Sequence, residues 1–194
     1  MTKKLSKEFR IENLLSAAIE EFTQKGYEGA SIDAIAAKGG VSKGGFYYHF
    51  ANKDVLLMEV NRKLNEPISE MAEKALLIKH PTEGLKQYII DYLKYWISRP
   101  KELSFLFLSM SKALETPALL KYYRDYIDSS TAFFIAIFKR IQESGESDIQ
   151  NSEVSGISLM GSLDGFVSYA IVHPDIDIET LANQIETIWF KKTI

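Results

Sequence analysis

The stretch that decides the fold is residues 31–50, SIDAIAAKGGVSKGGFYYHF. Ser31 stands as a natural N-cap before a short apolar-periodic run that ends near Lys38 and buries Ile35 and Ala36. Gly39-Gly40 then forces a tight turn, where a left-handed residue costs least as glycine. Ser42 caps a second short helix reaching about Phe50. Ala34, Ala36 and Ala37 are small where two helices must cross. Two short helices, a glycine turn and small crossing residues predict helix-turn-helix geometry.

The second of these helices is amphipathic in a particular way. Val41, Phe46 and Phe50 can face a core, leaving Ser42, Lys43, Gly44, Tyr47, Tyr48 and His49 outside. Tyrosines beside a lysine on a short rigid helix suit a DNA surface. Tyrosine hydroxyls and capped helix N-termini bond phosphates, while lysine reaches guanine O6 and N7. Gly44 and Gly45 disfavour the helix by about 0.5–1 kcal/mol each relative to alanine. The functional expectation is that they let the backbone approach the groove; a loop over the same residues is the alternative.

Outward from this stretch, helical periodicity dominates, with 5 prolines in 194 residues and few alternating strand patterns. A first helix is expected over about Ser6–Lys25, with Phe9, Leu14, Ala18 and Phe22 on one face and Gly26 as its stop. Asn52 caps a fourth helix running towards Ile78, kinked or broken at Pro67. Further helices are expected over Thr82–Ser98, Pro100–Leu114, Pro117–Glu143, Ser152–Val172 and Ile178–Lys191. The fold class is therefore all-α, about nine helices: a three-helix head with the helix-turn-helix (1–51) and a C-terminal helical bundle (52–194).

Composition bounds the function. Hydrophobic residues make up 46% and charged residues 25%, a globular balance. With no cysteine, disulfides, thiolate metal sites and cysteine nucleophiles are excluded together. No run of about 18 apolar residues predicts a membrane span, and MTKKLSKEFR lacks the apolar core of a signal peptide, so a cytoplasmic protein is expected. The net charge of −3 is uneven: residues 1–53 hold eight cations against six anions, leaving an acidic body behind a mildly basic head.

The head resembles the TetR family of transcriptional regulators. The resemblance is carried by Ala17-Ala18 and Phe22, Gly26-Tyr27, Ser31-Ile32 with Ile35-Ala36, Gly40-Val41-Ser42, Tyr47-Tyr48-His49-Phe50, Asn52-Lys53 and Leu56-Leu57. It spans about residues 9–60 without gaps. Beyond, only length and helical content are alike. The resemblance implies that Ser31 and Ser42 bond phosphates and that Lys43 is the main base reader. It further implies that Tyr48 touches a thymine methyl or sugar edge, that Tyr47 and His49 hold the backbone, and that Lys53 clamps a phosphate. The chain departs from the family at Gly45, where a DNA-contacting side chain is common, so preference should lean on Lys43 and DNA shape. Lys3, Lys4 and Lys7 form a basic arm that either adds phosphate contacts or is a solubilising tail.

In the body, Tyr88, Tyr92, Tyr95 and Trp96 share one helix face. For each alone an aromatic core is the simpler reading. With the resemblance, an effector cavity for a small, partly apolar ligand is expected among Tyr88, Tyr92, Trp96, Phe105, Met110, Tyr123, Met160 and Asp164. Asp164 is an anion in the apolar run SLMGSLDGFVSYAIV and faces either a ligand or a second subunit. The last two helices suggest a homodimer contact: Gly161 and Gly165 allow close approach, and Leu181, Ile185, Ile188 and Trp189 make an apolar stripe. The expected partners are a duplex DNA operator, an effector and a second copy of the chain. Its likeness to a repressor leaves an activator, or an adaptor whose head no longer binds DNA, as alternatives.

Enzyme signatures fail one by one, so no catalytic residue, cofactor or metal is expected. GGVSKGG has the wrong spacing for a phosphate loop. Gly156-Ile157-Ser158-Leu159-Met160 lacks the last glycine of a nucleophile elbow. His49, His80 and His173 show no metal-ligand spacing. Asp175, Asp177 and Glu179 lack the glycine and terminal glutamate of a calcium loop.

Overall fold

The computed structural model describes residues 7–173, 175 and 177–190. Among these residues the chain is built from nine α-helices and no strand: α1 Lys7–Gly29, α2 Ile32–Lys38, α3 Lys43–His49, α4 Lys53–Leu77, α5 Pro81–Ile97, α6 Pro100–Ala113, α7 Pro117–Ser144, α8 Ser152–Val172 and α9 Ile178–Phe190. The punctuation is local chemistry. Ser31 Oγ accepts from the Ala34 N–H, Ser42 Oγ from Gly45 and Asn151 Oδ1 from Val154, each satisfying a helix-start donor. Gly26 and Gly40 take φ of 72° and 70°, the left-handed turns expected of them. Gly26 interrupts α1 where a stop was expected: its backbone is non-helical, and a further turn resumes beyond the kink through Gly29. Pro67 does not break α4.

The helices form two compact units, each described by itself. The first holds α1–α3, α4 as far as Asn65, α6, and α7 as far as Tyr123; the second holds the rest of α4 and α7 with α5, α8 and α9. These compact units group the helices differently from the expected division into 1–51 and 52–194. α6 and the start of α7 belong with the head because their side chains complete its core.

In the first unit Phe22, fully buried, contacts the Phe105 ring at 5.9 Å. A polar knot sits in the same interior. Asn61 Nδ2 donates to Leu57 O at 2.8 Å and to Ser109 Oγ at 2.5 Å, while the Tyr123 hydroxyl donates to Asn61 Oδ1 at 2.7 Å. Asn61 and Ser109 are fully buried, so the bonds decide whether the knot is tolerable. Glu21 is buried too. Its carboxylate meets the ammonium groups of Lys25 and, at 3.0 Å, Lys38, which together hold it below the usual carboxylate range. That pairing ties α1 to the end of α2.

The second unit is a bundle in which α5 packs on α8 and α9. Two glycines mark its closest approaches. A Cβ on Gly84 would lie 2.5 Å from the Ala75 carbonyl oxygen, and one on Gly156 would lie 3.1 Å from the backbone of Phe134 and Ile135. Arg140 donates to the carbonyls of Leu76 and Ile78 at 2.6 and 3.0 Å, closing the open C-terminus of α4. No single described helix is long and apolar enough to cross a membrane.

Candidate nucleic-acid interface and ligand cavity

α3 is a seven-residue helix held from beneath. Phe46 is fully buried and Phe50 nearly so, their rings 5.8 Å apart, while Tyr48 is 76% and Tyr47 49% exposed. Large aromatics left in water are costly unless something covers them. Ser42 and Gly44 are exposed beside them, and Ser31 is exposed at the start of α2. The structure thus brings Ser31, Ser42, Lys43, Gly44, Tyr47 and Tyr48 to the surface of the helix-turn-helix. The two glycines divide their roles. A Cβ on Gly44 meets only Ser42 Oγ at 3.9 Å, so its space is open. A Cβ on Gly45 would press to 3.3 Å on Val41 Cβ, so this glycine serves internal packing, which explains the missing side chain there.

Lys43 is not idle. Its ammonium pairs with Asp33 on α2 at 3.0 Å, and that bond raises its pKa. Both groups are more than half exposed, so the pair is weak and exchangeable. Sequence reasoning missed Asp33, an acid beside the candidate base reader. Its signal was position: it lies on the outer face of α2, one residue past Ile32.

His49 is half-buried, and its Nδ1 is buried without a hydrogen-bond partner. Burial, then the charges of Lys7 and Arg10, lower its pKa. The ring is therefore neutral near pH 7.

Lys53 departs from expectation. Its ammonium bonds the carbonyls of Tyr27 at 2.6 Å and Ala30 at 3.0 Å and lies 4.3 Å from the Tyr27 ring centroid. Lys112 covers the same ring at 4.8 Å, and the Tyr27 hydroxyl bonds Asp54. A cation at the first residue of a helix opposes the helix dipole, and here α1's terminal carbonyls compensate. Lys53 is a bolt inside the head rather than a free phosphate clamp. Lys3 and Lys4 lie outside the described residues.

The expected effector residues divide between the units. Tyr88, Tyr92, Met160 and Asp164 line one cavity in the second unit, together with Tyr126 and Phe134. About 450 Å³ is free of atoms there, the solvent at its open mouth included. The Tyr92 hydroxyl donates to Asp164 Oδ1 at 2.9 Å. Burial, against this bond, raises the Asp164 pKa. A second cavity shares Tyr88, Tyr126 and Ser130 as a wall. Trp96 is buried beside Tyr95 and lines neither. Phe105, Met110 and Tyr123 are corrected to the first unit: Phe105 packs on Phe22, Tyr123 completes the polar knot, and Met110 is exposed. Tyr126 was missed, although Tyr126, Ser130 and Phe134 recur at i, i+4 and i+8 on α7.

The expected dimer residues also divide. Gly161 and Gly165 are exposed, and a Cβ on either would meet nothing within 4 Å. Val154, Ile157, Tyr169 and Val172 continue the same exposed apolar stripe along α8, each at least 47% exposed. They were missed because α8 is apolar on every side, which hides its outer face. Ile185 is corrected: it is buried within its own chain. Leu181 is half-buried, and the side chains of Ile188 and Trp189 lie outside the described residues.

Comparisons with known proteins agree with this head. Residues 14–60 match the model of bacterial regulatory proteins of the tetR family. The transposon Tn10 TetC protein of Escherichia coli is 33% identical over 92 residues, 47% of this chain and 47% of that protein. This chain thus matches about half of that relative's length. The transcriptional regulator UidR of Escherichia coli K12 is 25% identical over 179 residues, covering 88% of this chain and 83% of its own. Among solved structures, the fatty acid degradation regulator FadR from Bacillus halodurans superposes with a TM-score of 0.76 at 18% identity, over 97% of both chains. At that identity the likeness is one of fold. With a matching recognition segment over residues 14–60, related regulators and a shared all-helical architecture, the head of the chain is that of the TetR family of regulators.

Proposed function

We propose that this chain is a transcriptional repressor that binds a palindromic operator as a homodimer and is released by a small, partly apolar effector. The observation that carries it is the outward face of α3: Lys43, Tyr47 and Tyr48 stand exposed on a helix whose Phe46 and Phe50 anchor it. Lys43 would leave Asp33 for a guanine edge, Ser31 and Ser42 would add phosphate bonds, and the tyrosines would cover sugar and methyl surface. A second copy of the chain is the occupant of the α8 stripe, since family members of this fold need two heads about 34–36 Å apart to enter successive major grooves. The cavity beside Tyr92 and Asp164 is the effector site.

Release follows from linkage. An effector that prefers the non-binding conformation weakens DNA by the same factor with which DNA weakens it. The direct test is a low-salt gel shift on the duplex upstream of the chain's own coding region. Lys43→Ala should weaken binding roughly ten- to a hundredfold and relax base preference. Unchanged affinity and footprint would remove Lys43 from the reading role.

A further inference from the structure

The walls of the second-unit cavity select for charge as well as size. The rings of Tyr88, Tyr92, Tyr126 and Phe134 and the Met160 thioether make a polarisable apolar surface that would hold many lipophilic guests. Asp164 sets a narrower condition. Its carboxyl lies on the same wall and accepts one hydrogen bond, from the neutral Tyr92 hydroxyl. Among the described residues, no lysine, arginine or histidine lines that cavity, and the adjoining one adds a second acid, Glu73, and again no cation. Asp164 keeps part of its surface exposed, and a carboxylate set beside apolar walls is stabilised by a cation far better than by a hydroxyl. Aromatic faces carry negative potential and attract cations in turn. A guest carboxylate here would meet Asp164 with no positive group between them.

The geometry points to a lipophilic organic cation, an amine or quaternary ammonium with an apolar body, as the ligand of this site. Its charged head sits against Asp164 and its body lies on the rings of Tyr88, Tyr92 and Phe134. This rests on the reading of the cavity as the effector site, and it narrows that reading to one chemical class.

The test uses the full chain and three matched probes: benzyltrimethylammonium, its uncharged carbon isostere neopentylbenzene, and 3-phenylpropionate. A ligand that favours the native state raises the denaturation midpoint, so each affinity is read from the concentration dependence of that shift. The cation should stabilise most. Asp164→Asn, which keeps the shape and the Tyr92 bond, should weaken the cation about tenfold and leave neopentylbenzene unchanged. Equal stabilisation by the isostere or the carboxylate, or full cation affinity in Asp164→Asn, overturns the cation class while leaving a ligand cavity in place. No stabilisation by any of the three overturns the class and the effector reading together. Light scattering on Asp164→Asn separates the remaining outcome: loss of the assembled state would assign Asp164 to the subunit contact and overturn the proposal.

Discussion

Tyr123→Phe removes one oxygen from the interior of the first unit and leaves the ring in place. The lost hydroxyl is the donor to Asn61 Oδ1 at 2.7 Å, and Asn61 is fully buried. Its amide keeps its bonds to Leu57 O and Ser109 Oγ, so the main damage is one unsatisfied carbonyl oxygen, with the buried Ser109 hydroxyl also losing the Tyr123 oxygen as a neighbour. A buried acceptor left without its donor costs about 1–3 kcal/mol. With a urea slope of about 2 kcal/mol/M, the midpoint should fall by roughly 0.5–1.5 M. Circular dichroism of the full chain, at one fixed protein concentration, reads it. Adding Asn61→Leu should recover much of the loss, because removing both partners of a buried bond is far less harmful than removing one. Ligand binding in the second-unit cavity should be unaffected. A midpoint unmoved by Tyr123→Phe, together with loss of cavity ligands, would refute the placement of Tyr123 in the polar knot.

Further predictions follow from the same contacts. Lys53→Ala should destabilise the head by about 1.5–3 kcal/mol, as expected for charge-assisted bonds to two carbonyls. The salt slope of DNA binding should stay unchanged, whereas a slope smaller by about 1 would restore Lys53 as a phosphate contact. Gly165→Leu places a side chain in open space on one subunit, so thermal stability of the separated chain should hold while light scattering loses the dimer. A dimer that survives puts the subunit contact elsewhere. His49 has a native pKa below its ordinary 6.5, chiefly through burial. The unfolded chain therefore takes up the proton first, and stability falls as pH drops below the ordinary 6.5 of the unfolded ring towards the lowered native value. His49→Gln should flatten that part of the profile; an equally steep profile in the variant would place the titration elsewhere.

Most of the secondary structure was legible because short-range chemistry sets it. Ser31, Ser42 and Asn52 mark helix starts, glycine and proline mark stops, and each acts within one turn. The exposed face of α3 was legible for the same reason: alternation of Phe46 and Phe50 with Tyr47 and Tyr48 fixes what points inward. Long-range partners were not. Helix periodicity shows that Tyr88 and Tyr92 share a face, but it does not say that Phe105 returns to Phe22, or that Tyr123 meets Asn61, 62 residues away. Lys53 and Lys43 show the same limit. A lysine's sequence position gives its charge, while the carbonyls of Tyr27 and Ala30, or the carboxylate of Asp33, decide whether that charge is spent inside the fold or offered outside it. On α8 the reverse held, since an all-apolar helix conceals which side is outward until its neighbours are placed.

On the proposed function, α3 reads duplex DNA as one of a symmetric pair. Selecting bound sequences from a pool of random duplexes with the full chain measures this directly. An inverted repeat is expected, its half-site centres about 10 base pairs, or a multiple of that, apart. Tyr48→Ala and Lys43→Ala should each degrade the same positions in both halves. A pool that yields no consensus, or a single half-site without its mate, would contradict it.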